Sequence, residues 1–482
     1  MDYILKGKTM SNKTLTENKM GVMPIAPLLA SMAVPMMISM LVQALYNVVD
    51  SVFVAQIGED ALNAVSLAFP LQNLMIAFGA GTAVGMNAVL SRSLGEKNRS
   101  AADRAANTGI FVFLCSFVLF ALIGGFLSRP YFHALTDIES IVDDGVKYTT
   151  ICLCFSFGIF MQFCFERLLQ STGRTTLSMI TQLIGAVTNI ILDPIFIFDK
   201  GQVLFDGAFT MPVGLGMGVA GAAIATVAGQ ILAAILAVIM NIKHNPEVHL
   251  SVKLIRPDKA MITEIYRVGL PSIVMQSISS VMTFSMNKII ISFSTAATAV
   301  FGAYFKLQSF VLMPVFGLNN GMVPVIAYNY GAKKRKRVWG TVRLAICTAE
   351  ALMVVGVLLF ELFPDMLLGF FNASEEMLTV GRSAFRIIAT HFVLAGVCII
   401  SLSVVQAIGN PVYALIVSVC RQLVVLVPVA YLLSLTGRLE MVWLAFPIAE
   451  LVSLILSVIF LSKTVKSANA RMAEADTADG NA

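Results

Sequence analysis

The sequence predicts an all-α polytopic membrane protein, with twelve transmembrane helices in two six-helix bundles related by a parallel pseudo-twofold repeat. Three observations carry this. Hydrophobic residues make up 57% of the 482 positions and charged residues only 13%, whereas soluble domains carry roughly 25% charged residues; the mean hydropathy is +0.84. Apolar runs of at least about 18 residues recur between polar breaks. The chain also repeats itself at an offset of 236 (307 − 71): Pro35 recurs as Pro271, Leu71-Gln72 as Leu307-Gln308, Gly85-Met86 as Gly321-Met322, Gly95 as Gly331, Gln170 as Gln406 and Gly173 as Gly409.

Residues 1–25 form a basic cytoplasmic segment with Lys6, Lys8, Lys13 and Lys19. It has no short apolar stretch with a small-residue cleavage site, so it is not a removable signal. The predicted spans of the N-terminal bundle (26–243) are 26–54, 60–92, 106–128, 147–171, 174–198 and 216–242. A cytoplasmic linker, 244–260, carries Pro246, Pro257 and several charges. The C-terminal bundle (261–466) holds spans 262–293, 296–330, 339–363, 379–407, 411–434 and 439–463. The tail, 467–482, reads as disordered from its Ala, Asp, Glu, Gly and Asn content. Continuous rather than alternating apolar runs exclude a β-barrel. Basic residues collect in the even-numbered connections, as in Lys333-Lys-Arg-Lys-Arg337, and acids in the odd ones, as at Asp143-Asp144. The positive-inside rule then puts both termini in the cytoplasm and the chain in the plasma membrane. Each half has an even number of spans, so the halves share one orientation and leave a cleft at their interface.

The net charge of +5 lies in loops and does not point to nucleic acid. The seven cysteines fall in apolar segments without metal-ligand spacing. No phosphate-binding Gly-x4-Gly-Lys-Ser/Thr loop, His-Glu-x-x-His or nucleophile elbow occurs. The reading is therefore a monomeric non-enzyme without cofactor, driven by an ion gradient or by the membrane potential, which supplies about 2.3 kcal/mol per charge per 100 mV.

Polar groups inside the spans locate the chemistry. Gln43, Asn47 and Asp50 share one face of the first span at i, i+4 and i+7. Asn189 and Asp193 stand at i and i+4 in the fifth, followed by Pro194, which frees the carbonyl of Ile190. Thr226 adds a hydroxyl in the sixth, within Gly221-Ala-Ala-Ile-Ala-Thr226. A carboxylate in mid-span costs about 2.5–3.5 kcal/mol on insertion scales and marks an ion or substrate path. The repeat supplies an internal control, since adding 236 converts Asp50 to Met286, Asn189 to Val425 and Asp193 to Val429. A structural need of the bundle would appear in both halves. Asp50, Asn189, Asp193 and Thr226 thus form a candidate coupling site for a proton, because two close carboxylates do not both ionise cheaply, or for Na+ through oxygen ligands. Gln43 and Asn47 are accessory cleft residues. An interhelical hydrogen-bond clamp is the alternative.

Arg421 and Glu450, both mid-span in the C-terminal half, read as a structural ion pair, with a coupling role as the alternative. Lys306 is a candidate cleft residue or a snorkelling one. Met282 and Met286 are candidates for a flexible wall facing varied flat cations, against ordinary packing.

Tyr46-Asn-Val-Val-Asp50-Ser-Val-Phe-Val-Ala-Gln-Ile-Gly58, Asn189-x3-Asp193-Pro194 and Gly221-Ala-Ala-Ile-Ala-Thr226 together resemble the multidrug and toxic compound extrusion (MATE) family, from about Pro27 to Lys466. Phe305-Lys-Leu-Gln-Ser-Phe310 and Val315-Phe-Gly-Leu-Asn-Asn-Gly321 are similar to a bacterial branch of it. The resemblance implies a V-shaped pair of bundles that exchanges cationic or amphipathic drugs for Na+ or H+ by rocking, with Asp50, Asn189, Asp193 and Thr226 as the ion site. Some members carry acids in the seventh, eighth or tenth span, and Ser277–Met286 here has none. A lipid-linked oligosaccharide flippase of the same superfamily is the alternative; it calls for several cleft Arg and Lys, and only Lys306 and Arg421 qualify. An integral-membrane enzyme ranks below both, because no catalytic constellation is visible.

Overall fold

The computed structural model describes residues 18–204, 209–371 and 374–479; Lys6, Lys8, Lys13 and the last three residues of the tail lie outside them. A short helix α1 (Lys19–Val22) precedes the N-terminal half: α2 (Ile25–Ala55), α3 (Glu59–Gly95), α4 (Arg99–His133), α5 (Glu139–Cys154), α6 (Phe157–Ser171), α7 (Thr175–Ile197) and α8 (Gly218–His244). A two-stranded hairpin, β1 (Val203–Leu204) with β2 (Phe209–Thr210), joins α7 to α8. The C-terminal half comprises α9 (Lys259–Ile290), α10 (Thr295–Gly331), α11 (Arg335–Leu362), α12 (Pro364–Gly369), α13 (Glu375–Ala389), α14 (His391–Ala407), α15 (Pro411–Val419), α16 (Val427–Ser434), α17 (Leu439–Trp443) and α18 (Ala445–Asp479).

Ten of these stretches are long and apolar enough to cross a bilayer, or twelve if each bent pair counts as one span. The bent pairs are α5–α6 (41°) and α13–α14 (42°), the fourth span of each half. The predicted fourth span lost its first turns because Asp143, Asp144 and Lys147 mask the start of α5. Other local devices repeat as well. Gly173 and Gly409 end α6 and α14 with φ of +83° and +100°, where a Cβ would be strained. Lys97 and Lys333, at the turns after α3 and α10, both take φ of 57°.

The tail corrects the expectation of disorder. α18 continues into it as far as Asp479, with Ala468 and Met472 buried one turn apart and Asn469 accepting a 2.8 Å hydrogen bond from Trp339 Nε1. Its small polar composition hid an apolar i, i+4 stripe.

The two halves meet where glycines let helices cross. Gly81 and Gly85 of α3 take the backbone of α9 around Ile265, Gly269 and Ile273. Their repeat equivalents, Gly317 and Gly321 of α10, take α2 at Met37 and Ala33. A Cβ on Gly321 would stand 2.7 Å from the Ala33 nitrogen, so this Gly-x3-Gly spacing sets the approach. Cross-bundle polar contacts follow on the same side: Asn73–Ser280 at 2.9 Å, Arg167–Asn320 at 3.1 Å and Arg92–Glu264 at 3.3 Å. Leu29 and Ala33 are buried in the C-terminal core, whereas Leu41, Gln43, Leu45, Asn47 and Val48 further along α2 are exposed. Among the described residues, these contacts run from mid-helix to the end that carries Arg92 and Lys333–Arg337, here termed the basic end. The bundles part toward the opposite end.

Candidate cation site in the N-terminal bundle

The site is built where α2, α7 and α8 converge in the open half. α7 and α8 approach closely because Gly185 and Gly229 face each other; a Cβ on Gly229 would stand 2.7 Å from the Gly185 carbonyl oxygen. One turn from each glycine, Asn189 Nδ2 donates to Thr226 Oγ1 at 3.2 Å. The same amide donates to Asp193 Oδ1 at 3.2 Å, one helical turn on. Asn189, Asp193 and Thr226 are all buried, Asp193 completely. α2 brings Tyr46 close to Thr226, and Asp50 within electrostatic reach of Asp193 and Tyr46.

Three oxygens of this cluster, Asp50 Oδ1, Asp193 Oδ2 and Asn189 Oδ1, are buried and accept no hydrogen bond. Neither carboxyl forms an ion pair among the described residues. A buried unpaired acceptor costs about 1–3 kcal/mol, more when charged. A finished hydrogen-bond clamp would have satisfied them. Two carboxyls, an amide oxygen and a hydroxyl are hard donors that suit a proton or an alkali cation rather than a soft transition metal.

The structure therefore brings Asp50, Asn189, Asp193 and Thr226 together. Gln43 and Asn47 lie on the exposed stretch of α2 leading to Asp50. A further shell was not picked out from the sequence: Tyr46, and on α3 and α5 the trio Gln72, Tyr148 and Cys152. Gln72 Nε2 reaches Tyr148 Oη at 3.3 Å and Cys152 Sγ at 3.5 Å. Tyr148 and Cys152 are buried and feel the Asp50 charge. The offset of 236 could have found three of them, since Tyr46, Tyr148 and Cys152 map onto Met282, Ala384 and Ile388. Gln72 escapes that test because it recurs as Gln308.

The equivalent position in the C-terminal bundle is dry. Met282 and Met286, the counterparts of Tyr46 and Asp50, are buried in its core, and Val425 and Val429 pack against that core. This corrects the reading of Met282 and Met286 as cleft residues: α9 turns its 282–286–290 stripe into its own bundle and leaves Val281 and Phe284 exposed. Lys306 is exposed on α10.

Arg421 and Glu450 form an ion pair at 3.3 Å, with Glu450 buried. Arg421 sits in a π-helical stretch, Cys420–Leu426, between α15 and α16. Pro428 just beyond has no N–H for the preceding carbonyls, which accounts for the wider turn. His391 and Tyr304 lie within electrostatic reach of Glu450.

Two repeated bundles around a cleft, with a pair of buried carboxyls that only the N-terminal bundle carries at these positions, fit an integral-membrane transporter. A family model described as MatE matches residues 35–195 and 271–432, one match in each half. The chain belongs to the MatE family. It is 26% identical over 417 residues to the Multidrug export protein MepA of Staphylococcus haemolyticus, covering 85% of this chain and 88% of that one. To the MepA of Staphylococcus aureus strain MSSA476 it is 24% identical over 426 residues, covering 87% and 90%. Its fold matches an outward-facing multidrug resistance MATE family transporter of the MOP superfamily with a TM-score of 0.87, at 24% identity, over 95% of this chain and 100% of that one. It matches a MOP superfamily transporter from Pyrococcus furiosus with a TM-score of 0.86, at 25% identity, over 95% and 99%. The protein is a multi-pass membrane transporter of the multidrug-efflux family and not an enzyme.

Proposed function

We propose that this protein is a secondary active antiporter that expels cationic or amphipathic organic compounds in exchange for Na+ or H+, by alternating access, in the plasma membrane with both termini in the cytoplasm. The observation that carries this is the pair Asp50–Asp193, each with a buried unpaired oxygen, at positions whose repeat equivalents in the other bundle, Met286 and Val429, are apolar.

With the basic end facing the cytoplasm, the arrangement described here is open outward. The coupling ion enters along the Gln43–Asn47 face of α2 and is held by Asp50, Asp193, the Asn189 oxygen and Thr226. Its charge offsets the two carboxyls, so a cationic cargo in the cleft loses its electrostatic hold and departs outward. The loaded site then favours closure, because an ion moves an equilibrium only by its differential affinity for the two states. Inward opening releases the ion, the carboxyls regain their charge, and the next cation is drawn in. The two affinities oppose each other reciprocally.

Vesicle efflux of a cationic dye, driven separately by imposed Na+ and pH gradients, tests this reading. Asp50→Asn and Asp193→Asn should each abolish gradient-driven efflux in correctly inserted protein. Unimpaired efflux in both removes the coupling assignment.

A further inference from the structure

The basic end carries contacts that the cation site does not explain. α1 lies across the join between the bundles. On the N-terminal side Asn18 Nδ2 donates to the Thr172 carbonyl at 3.0 Å and to Glu247 Oε2. On the C-terminal side the last carbonyls of α1, orphaned by the helix end, are taken up by α10 and α11. Arg337 Nη2 donates to Met20 O at 2.9 Å and to Met23 O at 2.7 Å, Lys334 Nζ to Gly21 O at 3.0 Å and Asn329 Nδ2 to Met20 O at 2.9 Å. Arg337 Nε also holds Asn329 Oδ1 at 3.0 Å. Met20 is fully buried beneath, among Leu28, Met32, Val325 and Tyr328. So the segment leading into the first span of one half is fastened to the third span of the other.

The linker does the same in the opposite sense. It leads into α9 of the C-terminal half and is fastened to α4 of the N-terminal half. His249 N donates to Asp103 Oδ1 at 2.7 Å, Asn107 Nδ2 to His249 O at 2.9 Å and Ser251 N to Asn107 Oδ1 at 3.0 Å; Arg104 pairs with Asp258 at 3.7 Å. α4 and α11 begin at Arg99 and Arg335, equivalent positions in the repeat.

We propose that residues 18–23 and the linker around His249–Ser251 form a pair of crossed straps, each leading into the first span of one half and fastened to the third span of the other, that keep the basic end shut while the other end is open. Arg337 with Asn329, and Asn107 with Asp103, are the buckles, and their release is part of inward opening. The inference rests on the alternating-access part of the proposed function and not on the identity of the ion site. It also gives Lys334 and Arg337 a second task besides orienting the chain.

The test reads conformation directly. With the seven native cysteines replaced, Asn320→Cys, at the cross-bundle contact, reports opening by its reaction with a membrane-impermeant maleimide applied at the basic face of vesicles. Arg337→Gln and, independently, Asn107→Ala should each speed labelling by about tenfold, the equilibrium factor that losing one charged or buried hydrogen bond brings. Lys336→Ala, an exposed charge beside Arg337, should leave it unchanged. Unchanged labelling in both buckle variants, with monodisperse protein, overturns the proposal, as does equal acceleration by Lys336→Ala. If labelling rises as expected while Asp50→Asn and Asp193→Asn still transport, the straps stand and the ion-site reading falls. If no variant is ever labelled from the basic face, both the straps and alternating access fall.

Discussion

Asp193→Asn should make this protein more stable and less useful. Asp193 is fully buried, one carboxyl oxygen accepts a single bond from Asn189, and the other accepts none. Replacing the carboxyl by an amide of the same shape removes an unpaired buried oxygen. The new amide also offers an N–H to Asn189 Oδ1, itself unpaired and one turn away. One unpaired acceptor costs about 1–3 kcal/mol, so the gain should be of that order. The counterpart effect is loss of ion linkage. A ligand that binds only the folded state stabilises it by about 2.7 kcal/mol at a hundredfold excess over Kd. Wild type should therefore gain thermal stability in detergent on adding Na+ in place of a bulky organic cation, or on acidification if the ion is a proton. The Asn variant should start higher and respond to neither. A variant that melts earlier than wild type and still responds to the ion would refute the reasoning, because the unpaired oxygen would then have been neither costly nor a ligand.

Gly229→Val should separate α7 from α8 and pull Thr226 away from Asn189, cutting ion affinity at least tenfold with the carboxyls untouched; ion-dependent thermal shifts measure it. Arg421→Met should destabilise by about 3 kcal/mol, since it strands buried Glu450, while the double variant Arg421→Met/Glu450→Leu should recover most of that loss in a thermal-midpoint comparison. Near the straps, burial raises the Glu247 carboxyl above its ordinary range, opposed by Asn18, Arg174, Arg99 and Lys19. The folded state thus holds a proton that the unfolded state has released, and stability should fall as pH rises from the ordinary glutamate value through the raised one; Glu247→Gln should flatten that slope. Outside the bilayer, Arg382 grips Asp365 at 2.6 and 3.1 Å and holds its carboxyl below the ordinary aspartate value. That contact should be present at neutral pH and lost in acid, as NMR or cross-linking of the α12–α13 corner can follow.

What was legible in the sequence was whatever the bilayer or the repeat imposes. Continuous apolar runs had to become helices, because lipid offers backbone groups no partner. An offset of 236 showed that Asp50, Asn189 and Asp193 stand alone, and the structure gathers them with Thr226. The same arithmetic applied to Tyr46, Tyr148 and Cys152 would have extended the site, but a tyrosine or cysteine in an apolar span does not announce a polar role. Met282 and Met286 misled because a helix-face argument places them opposite α2 without saying which of two bundles their stripe enters. The π-helical stretch at Arg421 and the break between α13 and α14 depend on local hydrogen bonding that residue types only weakly dictate. The straps were out of reach for another reason: Arg337 and Asn107 find backbone atoms more than a hundred residues away, and nothing in a basic cluster or a lone amide names such a partner.

Dye efflux from vesicles with Asp50→Asn and Asp193→Asn tested separately, under imposed Na+ and pH gradients, reaches the central claim most directly. The account predicts that wild type responds to one of the two gradients and that each variant, folded and inserted, responds to neither. Efflux at the wild-type rate in both variants would contradict it.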